Sequence, residues 1–264
     1  MFGMLKGLWD YRSFIVTSIK NEFVARFVRS KLGGLWMIIH PLSQVAIYAL
    51  ILSNVLAAKL PGIDNKYAYA LYLMAGILAW NLFSEVVSRC LSIFIEQGNL
   101  MKKMRFPRIA LPVIVLGSCL LNNLLLFVAV LVVFALLGHM PTMQMFWLIP
   151  LTVAVTALAL GLGLVLGVLN VFVRDIGQIV PIILQVWFWF TPIVYSANII
   201  PEDLRSYMVW NPMYSIVTAY HDVLVYQVPP QTQEIAVTAA VSVGLMLLGL
   251  FMFRRAAPEM VDSL

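Results

Sequence analysis

From Ile109 to Val173 the chain carries no Asp, Glu, Lys or Arg. A stretch that long has no place in a soluble fold, where a helix keeps one polar face towards water. Shorter charge-free intervals cover residues 32–58, 67–84, 176–201, 206–221 and 235–253. They leave 62% of the residues hydrophobic and 11% charged, more apolar surface than one core of a 264-residue protein can enclose. The chain is therefore read as an all-α integral membrane protein. Helices are favoured over a barrel because barrel strands are shorter and alternate in polarity, whereas these runs are continuously apolar.

A hydrocarbon core of about 30 Å takes roughly 20 helical residues. The interval 109–173 holds two passes, with His139, Met140, Pro141 and Thr142 as the turn between them. Six spans are predicted: Trp36–Ala58, Tyr67–Val87, Leu111–Leu137, Phe146–Val171, Ile179–Tyr195 and Ile235–Phe253. Residues 206–221 are too short and too polar to cross, and Pro212 interrupts them, so this piece is read as interfacial or re-entrant. The whole of 1–264 is expected to be one domain: an interface segment over 1–35, a six-span bundle over 36–255 and a tail over 256–264.

With six spans both ends share one side. All 17 Lys and Arg except Lys59, Lys66 and Arg205 then fall on that side, which the positive-inside bias makes the cytoplasm. The net charge of +5 is thus divided among membrane-flanking loops and forms no stripe for nucleic acid. The basic N-terminus lacks a long apolar core followed by small residues, so no cleaved signal peptide is expected. Cys90 and Cys119 fall within spans or on the reducing side and read as packing residues.

Before the first span, Val16, Ile19, Phe23 and Phe27 recur at helical spacing, while Glu22, Arg26 and Arg29 gather on another flank. This predicts an amphipathic interface helix between Tyr11 and Leu32, with Glu22 and Arg26 as an i, i+4 pair. It is either a topology anchor or a platform for a soluble partner. The connection 89–111 is long for a helical hairpin and mixes apolar with basic residues. There Gly98 can stop one helix and Asn99 cap the next, leaving Leu100, Met101 and Met104 as an apolar knob ringed by Lys102, Lys103 and Arg105. Headgroup binding accounts for the charge but not for the knob.

Taken in order, Arg29-Ser-Lys-Leu-Gly-Gly-Leu-Trp36, His40-Pro41, Asn99-Leu-Met-Lys-Lys-Met-Arg-Phe-Pro107, Asn170-Val-Phe-Val-Arg-Asp-Ile176, Thr191-Pro-Ile-Val-Tyr195 and Asn211-Pro212 carry a likeness. From about Tyr11 to Arg255 the chain resembles the permease subunit of bacterial ABC exporters for O-antigen and capsular polysaccharide, of the Wzm and KpsM type. The resemblance implies a homodimeric channel working with two copies of a separate ATPase in the bacterial inner membrane, on a lipid-linked polysaccharide. It maps the coupling helix onto Asn99–Met104, the interface helix onto roughly Tyr11–Lys31 and the outer gate onto 196–234. Arg174 and Asp175 would lie near the cytoplasmic entry. No Gly-x-x-x-x-Gly-Lys-Ser/Thr loop occurs in the chain, so ATP and its magnesium would be held by the partner, with no cofactor in this chain.

Towards the outer end of span five, Trp187, Trp189, Phe190 and Tyr195 offer ring faces along which a sugar chain could slide. Consecutive aromatics point around a helix, so only one or two can face a pore and the rest form a membrane belt. In the outer connection Tyr207, Trp210 and Tyr214 lie three and four apart and are expected on one helical face, as a gate or a surface loop. Glu85 and Arg89 read as an i, i+4 pair, and Gly161, Gly163 and Gly167 as a packing stripe. His221-Asp222 comes without a nucleophile motif, which speaks against catalysis. The alternatives are an ATP-driven exporter of drugs or other lipids and an ion-coupled secondary transporter; the latter would need more intramembrane ionisable residues than Glu85.

Overall fold

Every regular element among the described residues is a helix. The computed structural model describes residues 7–28, 68–103, 106–140, 142–196 and 210–263, with isolated positions within 35–43 and 201–208. In chain order the helices are α1 (Arg12–Val28), α2 (Ala68–Glu96), α3 (Gly98–Lys103), α4 (Ala110–Leu136), α5 (Leu148–Phe172), α6 (Ile176–Trp189), α7 (Pro212–His221) and α8 (Thr232–Ser263). A 3₁₀ turn over Met143–Trp147 leads into α5, and a π turn over Asp222–Tyr226 continues α7.

Among the described residues four helices are long and apolar enough to cross a membrane: α2, α4, α5 with its leading turn, and α8. They coincide with the second, third, fourth and sixth expected spans, and α2 runs on to Glu96. The expected first span, Trp36–Ala58, lies outside the described residues except for isolated positions. The fifth is shorter than its apolar run suggests. α6 has 14 residues, about 21 Å at 1.5 Å per residue against a hydrocarbon thickness of about 30 Å. It ends at Trp189 because Thr191-Pro192 cannot continue a helix, and the chain turns through Thr191–Tyr195.

Helix α2 is the centre of the bundle. Of its most apolar stretch 78% is buried, against 22% for α4 and 17% for α8, which leave long apolar faces outward. Leu121, Leu124, Val128, Val132 and Leu136 form one such face on α4, at the spacing of a single lipid-facing stripe. α5 packs against both α2 and α8, and its glycines permit the approach. A Cβ at Gly161 would meet the α8 backbone at Leu245 and Met246, and one at Gly167 the Cys90 carbonyl of α2. Cys90 and Cys119 are buried and free.

The turn after α4 is set by Gly138. Its φ of 78° is open to glycine at little cost. The His139 N–H then reaches back to the Phe134 carbonyl at 2.9 Å, closing the last turn. His139 Nε2 donates to the Leu224 carbonyl at 2.8 Å, and Gln227 donates to the Met140 carbonyl at 2.8 Å. The α4–α5 turn and the end of the π turn are thereby tied together.

Candidate functional site

Asn81, Ser84 and Ser88 recur at helical spacing along α2. Between this stripe and α6 lies a cleft of about 430 Å³, walled by Asn81, Ser84, Ser88, Gln185 and the rings of Trp80, Phe188 and Trp189. Amides and hydroxyls that can both give and accept hydrogen bonds stand beside aromatic faces there. The rings hold one another edge to face: Trp187 stands 5.1 Å from Phe83, and Phe188 stands 5.7 Å from Trp80.

The four aromatic residues from which one or two were expected to face a pore take different parts. Trp189 is exposed and lines the cleft, and Phe190 is exposed beyond the end of α6. Tyr195 is half-buried and its hydroxyl donates to the Trp189 carbonyl at 2.8 Å. Trp187 is turned inward and its Nε1 donates to Asn211 Oδ1 at 2.8 Å. Phe188, Gln185 and the α2 stripe complete the wall. Sequence reasoning missed the polar stripe; its signal was the spacing of three and four between Asn81, Ser84 and Ser88, and nothing local said which helix it would face.

Asn211 is the joint between α6 and α7. Its Oδ1 also accepts from the Met213 N–H at 3.0 Å, capping α7 with Pro212 in the first turn. Its Nδ2 donates to the Phe190 carbonyl at 3.2 Å and to Thr191 Oγ1 at 3.1 Å. The start of α2 completes the assembly around α6 and α7. Tyr69 donates to the Val194 carbonyl, and the Tyr72 hydroxyl lies 3.2 and 3.1 Å from the carbonyls of Pro192 and Tyr195. The Tyr72 ring stacks on His221 at 3.6 Å, and His221 Nε2 donates to the Tyr72 carbonyl at 3.1 Å.

α7 is therefore a buried helix laid against α2. Met213, Tyr214, Ile216, Val217, Tyr220 and His221 are all enclosed. Burial lowers the His221 imidazole to about 3, only partly opposed by its hydrogen bond to Tyr72, so the ring is neutral at physiological pH. Burial, with the charge of Glu234 adding to it, pushes the Asp222 carboxyl up to about 6. The single aromatic face expected from Tyr207, Trp210 and Tyr214 does not form. Asn211 starts a new helix between them, so Tyr207 and Trp210 stay exposed while Tyr214 points into the bundle.

At the opposite end, α3 is a helix of 6 residues over Gly98–Lys103. Asn99, Lys102 and Lys103 are exposed, and Leu100 is half-buried. Met101 is 5% exposed and packs with Phe94, Ile109, Val171, Phe253 and Met260. The knob expected from Leu100, Met101 and Met104 is thus corrected at Met101, which anchors α3 to α2, α4, α5 and α8; Met104 and Arg105 lie outside the described residues. Arg108 holds the same corner by donating to the Ala257 carbonyl. Arg174 and Asp175 are both exposed in the turn between α5 and α6.

Glu85 lies 3.9 Å from Arg89, as the i, i+4 spacing implies, and accepts from Asn122 Nδ2 at 2.7 Å. Arg89 has a second acid, Glu22 of α1. A helix, α1, occupies the segment where the interface helix was expected, but the side chains it turns inward differ from the expected ones. Val16 is 64% exposed, Ile15 is buried, and Glu22 turns into the bundle towards Arg89 and Ser118. The Arg26 side chain lies outside the described residues.

Residues 14–225 match the pattern of the ABC-2 type transporter family. The chain is 30% identical to the O-antigen export system permease protein RfbA of Myxococcus xanthus over the full length of both proteins. A protein of the same description from Klebsiella pneumoniae is 28% identical, over 79% of this chain and 78% of its own. The polysialic acid transport protein KpsM of Escherichia coli is 23% identical, over 92% of this chain and 93% of its own. The long apolar helices, the short helix α3 and the polar cleft beside α6 occur in a chain whose family match covers most of its length, and the chain belongs to the ABC-2 type transporter family.

Proposed function

We propose that this chain is the channel-forming permease subunit of an ATP-driven exporter that moves a lipid-linked polysaccharide, of O-antigen or capsular type, outward across the bacterial inner membrane. The observation that carries this reading is the cleft between α2 and α6, where Asn81, Ser84, Ser88 and Gln185 stand with Trp80, Phe188 and Trp189. Hydroxyls and amides match the donors and acceptors of a sugar, and ring faces accept its C–H surfaces without selecting one glycan. A drug or a simple lipid would have less use for so polar a wall.

Beside the cleft, α6 leaves Ile179, Ile182, Ile183 and Val186 exposed. A second copy on that edge would cover them and close the two clefts into one path, which supports a homodimer. The transported chain would enter near Arg174 and Asp175, pass Trp189 and Phe190, and leave between Tyr195 and the segment carrying Tyr207, Trp210 and Tyr214. Two copies of a separate ATPase would hold ATP and magnesium and push on Asn99, Leu100, Lys102 and Lys103. Both termini would be cytoplasmic.

Reconstitution tests this. Proteoliposomes with the chain and its ATPase should deliver a lipid-linked polysaccharide to the far side only when ATP is supplied. Uphill movement by the chain alone on an ion gradient, or ATP-driven movement of drug-like cations in preference to the glycolipid, would refute it.

A further inference from the structure

Glu22 belongs to an amphipathic helix, where a carboxylate would ordinarily face water. Instead it lies between α2 and α4, taking a charged hydrogen bond from Arg89 and another from Ser118 Oγ at 2.8 Å. Ser118 is itself buried. Arg89 also lies 3.6 Å from the Cys119 sulfur and 3.9 Å from Glu85, which is bound in turn to Asn122 of α4. Side chains from three helices thus share one polar cluster. Polar groups in such a place are costly unless paired, and pairing them holds the helices in one relation.

Packing around the cluster is equally close. A Cβ at Gly117 of α4 would collide with Ile19 of α1, Ile15 is buried, and Phe14 meets the Phe106 ring at 6.1 Å. The cluster also sits next to the cleft. Glu85 and Arg89 each follow by one residue the cleft-lining Ser84 and Ser88, so the two pairs lie roughly a quarter-turn apart around the same stretch of α2.

We infer that Glu22 and Arg89 are positioning residues that latch the amino-terminal helix to spans α2 and α4, so that displacement of α1 from the cytoplasm shifts the Ser84–Ser88 wall of the cleft. This rests on the reading of the chain as an ATP-driven permease and adds a second mechanical input besides α3. Without the latch, α1 could still lie on the bundle through Ile15 and Ile19, but it would slide and its movement would not reach α2.

The test uses the full chain assembled with its ATPase in proteoliposomes, comparing wild type, Glu22→Gln, Arg89→Gln and the exchanged pair Glu22→Arg with Arg89→Glu. ATP hydrolysis, glycolipid export and the amount of membrane-inserted protein are measured together. Each single variant should lower export per ATP hydrolysed by roughly fivefold or more, the ordinary scale of coupling between sites, and the exchanged pair should recover part of it. An unchanged ratio in Glu22→Gln would sink the latch. So would equal falls in export, hydrolysis and inserted protein, which is what a purely structural role produces. A wild-type complex without ATP-driven export would sink the permease reading itself, an outcome distinct from wild-type export with an unmoved ratio.

Discussion

The indole Nε1 of Trp187 donates a 2.8 Å hydrogen bond to Asn211 Oδ1, joining the end of α6 to the first turn of α7. Because the same oxygen caps α7 and the same side chain's Nδ2 holds the Phe190 carbonyl and Thr191, this contact governs how the aromatic end of α6 is presented.

Trp187→Phe should keep the ring packing and lose the bond, lowering stability by about 1 kcal/mol. Asn211→Ala removes the cap as well and leaves the indole N–H without its acceptor, so it should cost about 2–3 kcal/mol. In a double-mutant cycle of thermal unfolding in detergent, the two substitutions should fail to add by about 1 kcal/mol. Strict additivity would show the joint to be energetically idle.

Gly167→Ala places a Cβ against the Cys90 carbonyl, a backbone atom that cannot move aside. A loss of about 1–3 kcal/mol and of membrane-inserted protein is expected, because overpacking at a helix contact displaces a whole helix. Gly244→Ala meets nothing within 4 Å and should be neutral or slightly stabilising. Quantitative immunoblotting of membranes with detergent melting curves compares the two.

Asp222 holds its proton more tightly folded than unfolded, since burial lifts its carboxyl to about 6 from the ordinary 3.8. The native state therefore binds the extra proton, and its stabilising contribution, complete below the unfolded value, is lost as pH rises from about 4 to 6. Thermal stability should decline over that window, and Asp222→Asn should flatten the decline and melt higher than wild type at pH 7.5. A parallel pH profile in the variant would assign the dependence to another group.

The cleft predicts a selective block. Ser84→Trp and Ser88→Trp fill its α2 wall and should reduce export at least tenfold with the protein still in the membrane. Val128→Trp adds the same ring to a residue 51% exposed on α4 and should leave export near wild type. Equal loss in all three would mean that bulk anywhere in the bundle is harmful and that the cleft is not the path.

Around α3 the buried and the exposed side chains should separate cleanly. Met101→Asp puts a charge into a closed apolar cluster and should abolish accumulation of the protein, since an uncompensated buried charge costs several kcal/mol. Lys102→Glu with Lys103→Glu reverses exposed charge and should leave accumulation intact while weakening capture of the ATPase in pull-downs. Normal capture would move the docking surface off α3.

The membrane helices were readable because each pass must satisfy its backbone internally and show lipid an uncharged surface, so the absence of Asp, Glu, Lys and Arg marks it residue by residue. Within the uncharged interval 109–173 the α4–α5 turn was marked instead by His139-Met-Pro-Thr142, and the close contacts of α5 by its glycines. The absence of charge misjudged α6, because the apolar run continues through Thr191–Tyr195 while the helix does not: apolarity says that a segment avoids water, and only the backbone says that it turns. Asn211-Pro212 was likewise visible as a pair, but its hydrogen-bond partner lies on another helix.

What the sequence determined by itself was the solvent, the class of element and the family likeness, all of them local or additive properties. What only the tertiary structure decided was direction: that Glu22 turns inward to Arg89, that Met101 anchors instead of protruding, that Trp187 binds Asn211 while Trp189 lines the cleft. In an apolar helix every side chain can be tolerated by lipid, so hydrophobic periodicity no longer reveals which face is inside. That choice is made by polar partners and close glycine contacts supplied by other helices.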